Sequence, residues 1–326
     1  MQTPIEKLAG ETDCRTISVT KVGRAAGLVA TMTALTVTAV ALATATVASL
    51  SGCGADSPRP AASSQSLESS AATPSSEPAG GVLAGIDGVV NIDGGRGLYV
   101  RCSGTGSPTL LLEGGDEDTS DSYAFAERTL ALETRTCVYD RANLGRSDPD
   151  PGPRGLGELV GDLEGLIGAA DIPGPYVLVG TSGGGYISAG YAVEHPEQVA
   201  GMVLVEVPAP FVNPPQEIVE ATRWDSPVNV ENRDYLQVEK DAWAARRRVG
   251  DIPVTVISNE YSAEEIAAAE FPAEAAGMRG NVRAQRGWLV LSPLAEQVVV
   301  QTGHAVEEAD PELVIDVILD VVRAAR

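Results

Sequence analysis

From residue 97 onward, short apolar runs alternate with segments whose apolar residues recur every three or four positions. Gly97–Cys102 (GLYVRC) and Thr109–Glu113 (TLLLE) read as strands, parted by Gly-Thr-Gly-Ser-Pro. Ser122–Glu133 reads as a helix and Thr136–Tyr139 (TCVY) as a strand. Leu156, Leu159, Val160, Leu163, Leu166 and Ile167 mark one face of a helix over Leu156–Ala170. Tyr176–Val179 is a strand followed by a helix through Glu194; Val199–Val207, Pro253–Ser258 and Gln297–Gln301 are further strands. Asp310-Pro311 is an N-terminal cap signal for a last helix reaching about Ala324. Strands apolar on both faces, each followed by a helix, predict an α/β fold with a largely parallel sheet covered on both sides.

Two regions break this rhythm. Residues 209–251 fall between two core strands, start among Pro208, Pro210, Pro214 and Pro215, and carry Trp224, Tyr235 and Trp243. They read as a cap insertion over one edge of the sheet, or as a long crossover. At the other end, Lys21 and Arg24 precede an uncharged run, Ala25–Leu50, that closes in Leu50-Ser51-Gly52-Cys53. A basic flank, an apolar stretch and small residues before a cysteine form a secretory signal resembling a bacterial lipobox, with Cys53 lipidated. The competing reading is a retained transmembrane helix, because the run is long enough to span a bilayer. Residues 54–81 are rich in Ser, Pro, Ala and Gly and cannot bury a core, so they read as a disordered tether. The organisation expected is a signal over 1–52, a tether over 53–81 and a globular domain over 82–326.

Charge and cysteines sharpen this picture. The chain of 326 residues carries a net charge of −22; residues 1–52 hold four basic and three acidic side chains, so the remainder carries −23. Such a surface disfavours nucleic acid and anionic lipid as partners, leaving the N-terminal lipid as the expected membrane attachment. Of four cysteines, Cys14 belongs to the signal and Cys53 to the lipidation site, and no Cys/His spacing suits a metal.

The chemistry concentrates at Val177-Leu178-Val179-Gly180-Thr181-Ser182-Gly183-Gly184-Gly185-Tyr186. A strand entering G-x-S-x-G and leaving as a helix is the setting in which a serine becomes a nucleophile. Gly180 and Gly184 let strand and helix approach closely, and the N–H of Gly183 can face a developing oxyanion. A serine nucleophile needs a base, and the base a carboxylate to orient it. The chain has two histidines. His195 ends the helix after the serine, whereas His304, in Thr302-Gly303-His304, follows the last strand, where the order Ser–acid–His places the base. Two acids compete. Glu206 ends the Val203-Leu204-Val205 strand, where an imidazole would answer its burial; Glu260 follows the next strand in a charged loop. Glu206 is the first choice. The second oxyanion N–H is assigned to Asp116, in Glu113-Gly114-Gly115-Asp116, with its carboxylate expected to face away. No cofactor is required.

Together these stretches resemble the α/β-hydrolase family, in the form common among exported actinobacterial proteins. Tyr139-Asp140-Arg141-Ala142-Asn143-Leu144-Gly145-Arg146-Ser147-Asp148 is similar to the family's D-R-x-G-x-G-x-S stretch; Pro175–Gly180, His195-Pro196-Glu197 and Gly303-His304 add to the likeness. Asn143 stands where glycine is usual, and asparagine also tolerates a left-handed backbone. Thr181 replaces the more frequent His or Gln, and Glu206 stands where relatives usually have Asp. The resemblance implies an eight-stranded sheet and hydrolysis of a small-molecule ester, amide, epoxide or related bond. A serine at position 182 disfavours the dehalogenase and epoxide chemistries, which use a carboxylate nucleophile. A carboxylic ester is the first expectation. An aminopeptidase is the alternative, with Glu217, Glu220, Asp225, Glu231 and Asp234 available to read an amine unless they are solvated helix faces. A non-catalytic binding lipoprotein on the same fold is the other reading, although neither Ser182 nor His304 is lost. The implied strand order also sets the strand of Cys102 beside that of Cys137, so an exported domain could bridge them; the competing reading is two buried thiols.

Overall fold

In the computed structural model, residues 16–18 and 85–326 are described. The expected lipidation site Cys53, the tether 53–81 and all of the expected signal except Thr16–Ser18 lie outside the described residues. Lys21–Gly80 lies wholly outside the described residues, and the sheet with its helices belongs to one compact unit.

The strands are β1 (Thr16–Ser18), β2 (Asp87–Asn91), β3 (Gly97–Ser103), β4 (Thr109–Glu113), β5 (Thr136–Tyr139), β6 (Tyr176–Thr181), β7 (Val199–Val205), β8 (Val254–Asn259) and β9 (Ala295–Val300). They form one sheet in the order β1-β9-β8-β7-β6-β4-β5-β3-β2. Eight of them run from Asp87 to Val300, as expected, and β1 adds three residues to the β9 edge. β2–β3 and β3–β5 pair antiparallel, and the other pairs are parallel.

Helices cover both faces: α1 (Ala124–Glu133), α2 (Leu156–Ala169), α3 (Gly183–Glu194), α4 (Gln216–Ala221), α5 (Tyr235–Ala245), α6 (Ala263–Ala268), α7 (Pro272–Gln285), α8 (Val306–Ala309) and α9 (Pro311–Ala324). The period of two along each strand divides the core. Leu111, Leu178, Met202 and Leu204 pack with α2, α3 and α5, whereas Leu110, Leu112, Val177, Val179, Val203 and Val205 pack with α1 and α9. The last helix begins as its sequence predicts: Pro311 occupies the first turn, and the Asp310 carboxylate accepts from the N–H of Leu313 at 3.2 Å.

Cys102 and Cys137 are direct register partners on β3 and β5, and they form a disulfide. The interval 209–251 contains α4 and α5. Its second helix packs on α2 and α3, burying Tyr235, Leu236, Val238 and Ala242, so this part belongs to the body of the domain. β2, α6, α7 and α8 carry no clear apolar period in the sequence. The buried positions of α7 are Ala275, Asn281 and Gln285, a largely polar face that a hydrophobic pattern cannot reveal.

Candidate active site

The turn from β6 into α3 holds Ser182 at φ 45°, ψ −121°, a conformation disfavoured for a residue with a side chain. Its N–H donates to the carbonyl of Val205 at 2.9 Å, and its carbonyl accepts from Gly185 at 3.0 Å. The glycines are steric requirements. A Cβ on Gly180 would fall 2.5 Å from the Cα of Gly185, and one on Gly184 would fall 2.3 Å from the carbonyl oxygen of Gly114. The serine is therefore fixed at the C-terminal edge of the sheet, over the N-terminus of α3.

His304 reaches the same point from the loop after β9, with Nε2 3.0 Å from Oγ of Ser182. The loop is tied down by Asn259, whose side-chain oxygen accepts from the N–H groups of Thr302 and Gly303 at 2.9 and 3.1 Å. Glu206 leaves β7 at φ 49° and is fully buried. Its carboxylate accepts from the N–H of Asn259 at 2.6 Å, from Asn281 at 2.6 Å and from the Tyr261 hydroxyl at 3.2 Å. Nδ1 of His304 stands 3.9 Å from Oε1 of Glu206, beyond hydrogen-bond length but close enough for electrostatic pull. Desolvation disfavours the imidazolium, but the Glu206 carboxylate, assisted by Glu307 and Asp116, outweighs it and raises the His304 pKa above its ordinary value.

Ser182, His304 and Glu206 thus converge. Glu260 does not: it is exposed and accepts a hydrogen bond from Gln301 at 2.9 Å. His195 follows α3 as its C-cap, with its ring tilted against that of Tyr191 at a centroid distance of 4.7 Å. Among the described residues, no group of three or more His, Cys, Asp or Glu is placed to hold a metal ion.

The loop after β4 lies beside the elbow, and a Cβ on Gly115 would meet the Cβ of Ser182 at 3.6 Å. One expectation is corrected here. The Asp116 carboxylate does not face away; it lies over Gly183, where an added Cβ would fall 1.5 Å from Oδ1. A hydrogen bond from Nη2 of the buried Arg233 guanidinium fixes it in that position.

Beneath the loop lies a buried ionic network that sequence reading missed. Arg141 donates to Glu113 at 2.8 Å, to the carbonyls of Gly114 and Gly115 at 2.7 and 2.5 Å, and to both carboxylate oxygens of Glu231 at 2.9 Å. Glu231 also accepts from the N–H of Glu117 at 2.7 Å. Burial works against the Glu231 carboxylate, but Arg141, Arg233 and that N–H hold its pKa down at about 2. Asn143, at φ 74°, supports the arrangement by donating to the Glu231 carbonyl at 3.0 Å. Glu231 is therefore committed to structure and is not available to read an amine. Glu217, Glu220 and Asp225 are solvent-exposed, and Asp234 caps α5. The signal that could have revealed the network is a charged residue, Glu113, closing an otherwise apolar core strand.

A strand–elbow–helix carrying a serine in contact with a histidine, on this sheet order, is decisive. The chain has the α/β-hydrolase fold. The family model described as the alpha/beta hydrolase fold matches residues 108–251. The chain is similar to the uncharacterized protein YqjL of Bacillus subtilis, 23% identical over 246 residues, covering 74% of this chain and 94% of that protein. It also resembles RutD of Azorhizobium caulinodans, named for carbamate hydrolysis, 31% identical over 112 residues, or 34% of this chain and 42% of the relative. Among solved structures, a thermophilic esterase from Thermogutta terrifontis superposes with a TM-score of 0.52 at 20% identity, covering 74% of this chain and 99% of the esterase. At that identity the likeness concerns the fold; the reaction must be argued from the site.

Proposed function

We propose that this protein is an extracytoplasmic serine hydrolase, tethered to the membrane by lipid on Cys53, that cleaves small carboxylic esters through a Ser182–His304–Glu206 triad. The observation that carries the reading is the 3.0 Å contact between Nε2 of His304 and Oγ of a serine held at positive φ. Oγ attacks the ester carbonyl as its proton passes to Nε2. The imidazolium is stabilised by Glu206, and the oxyanion is received by the N–H groups of Gly183 and Asp116. Collapse of the tetrahedral intermediate expels the alcohol, which takes the proton from Nε2. Water, deprotonated by the same nitrogen, then releases the acid and restores Ser182. An ester fits better than a peptide, because Glu231, buried in ion pairs, and Asp234, capping α5, are committed to structure rather than free to recognise an amine. The anchor rests on the lipobox-like Leu50-Ser51-Gly52-Cys53. Cleavage before Cys53 would remove β1 and leave β9 as the sheet edge.

The test is fluorophosphonate labelling together with turnover of p-nitrophenyl acetate. The native enzyme should label at Ser182 and turn over; Ser182→Ala should lose the label and at least about 10³-fold in kcat. A native protein that neither labels nor turns over any ester would favour a non-catalytic binding role.

A further inference from the structure

The N–H of Gly183 begins α3, and the first turn of a helix attracts anions through its unpaired N–H groups and its dipole. In a serine hydrolase that attraction serves the oxyanion. Here another anion is already present. The Asp116 carboxylate, 43% exposed, lies so close over Gly183 that only glycine fits beneath it. Left alone, it could settle on the N–H groups meant for the intermediate, and its charge would oppose the charge that develops there.

Arg233 prevents this from the insertion between β7 and β8. It is 1% exposed, its Nη2 binds Oδ1 of Asp116, and that nitrogen would itself lie 2.6 Å from a Cβ on Gly183. The guanidinium is held in place on two other sides. It packs on the Tyr235 ring with its carbon 4.3 Å from the centroid, and Nη1 stands 3.6 Å from Glu231. Glu231 is anchored in turn by Arg141, which grips the carbonyls of Gly114 and Gly115. One chain of charges therefore runs from the insertion to the oxyanion loop. We propose that Arg233 is a positioning residue for the hydrolysis, holding the Asp116 carboxylate off the oxyanion site and neutralising it there. This rests on the serine-hydrolase reading of Ser182 and His304.

The test is a cycle on the full chain with p-nitrophenyl acetate, reading kcat and KM separately. Arg233→Gln frees the charge of Asp116 and should lower kcat about 10²-fold, the scale of losing one oxyanion donor, with KM within about threefold. Asp116→Asn should cost less than about tenfold. In the double variant, removal of the freed charge should restore kcat at least about tenfold over Arg233→Gln. A residue that merely supports folding would show no such rescue, so losses that add, or an Arg233→Gln variant with native kcat, overturn the proposal. If Arg233→Gln lacks a cooperative thermal transition, Arg233→Lys takes its place, since its shorter ammonium keeps charge without reach; its kcat should fall in part and recover on Asp116→Asn. A native enzyme that does not label at Ser182 overturns the parent reading as well, whereas one that labels without any rescue overturns this proposal alone.

Discussion

Glu206 sits just past β7 at positive φ, fully buried, with three donors on its carboxylate and His304 beside it. A carboxylate held beside an imidazole both orients it and favours its protonation, raising the His304 pKa. As the base must be neutral, activity falls as pH drops through the raised His304 pKa. Glu206→Gln removes the charge that raises it. We expect kcat to fall by roughly 10²- to 10⁴-fold, with the acid limb of the kcat/KM profile moving to lower pH. Glu260→Gln, an exposed change, should move neither kcat nor the limb. The reverse pattern would transfer the acid role to Glu260. The position of Glu206 beside a partner was legible because a charge closing an apolar strand demands one. Asn259, Tyr261 and Asn281, which supply its donors, were not, since nothing local distinguishes them from polar loop or helix residues.

At the scale of elements, the antiparallel pairing of β3 with β5 is what makes Cys102 and Cys137 direct partners, 35 residues apart in sequence. Cross-linking them restricts the unfolded chain by about 3–4 kcal/mol of loop-closure entropy. Replacing both by alanine should lower the Tm by roughly 6–16 °C, the usual conversion for a domain of this size. A calorimetric scan checks this; a Tm unchanged both in the double variant and on reduction would mean that the bridge contributes nothing. The neighbouring parallel strands β4, β6 and β7 all end at the edge where the oxyanion loop, the elbow and Glu206 emerge, so three parts of the site share one rigid support. The strands and α9 could be read from apolar spacing. α7 could not, because its buried face hydrogen-bonds through Asn281 and Gln285 rather than packing hydrocarbon.

For the whole molecule, the strongly negative charge disfavours adsorption on anionic lipid, so attachment to a membrane should depend on the N-terminus alone. One acyl chain binds a bilayer only marginally, whereas a doubly acylated anchor holds. Cys53→Ala should therefore move the protein from the detergent phase to the aqueous phase and abolish lipid mass at the mature N-terminus. If partitioning and N-terminal mass stay unchanged, Ala25–Leu50 is a retained membrane helix instead.

What the sequence alone determined is whatever local pattern encodes: the apolar period of strands and helices, the cap at Asp310, the glycines flanking Ser182, and the order of Ser182, Glu206 and His304 along the chain. These signals lie within a few residues of one another or in the order of elements, so they survive without coordinates. Only the tertiary structure decided which glutamate meets His304, which way the Asp116 carboxylate turns, and that Arg141, Glu231 and Arg233 join the insertion to the oxyanion loop. Those outcomes depend on charges up to 117 residues apart being buried together. Whether a charge is solvated or buried beside its opposite depends on the low-dielectric space that the packed elements enclose, and no short stretch of sequence carries that information.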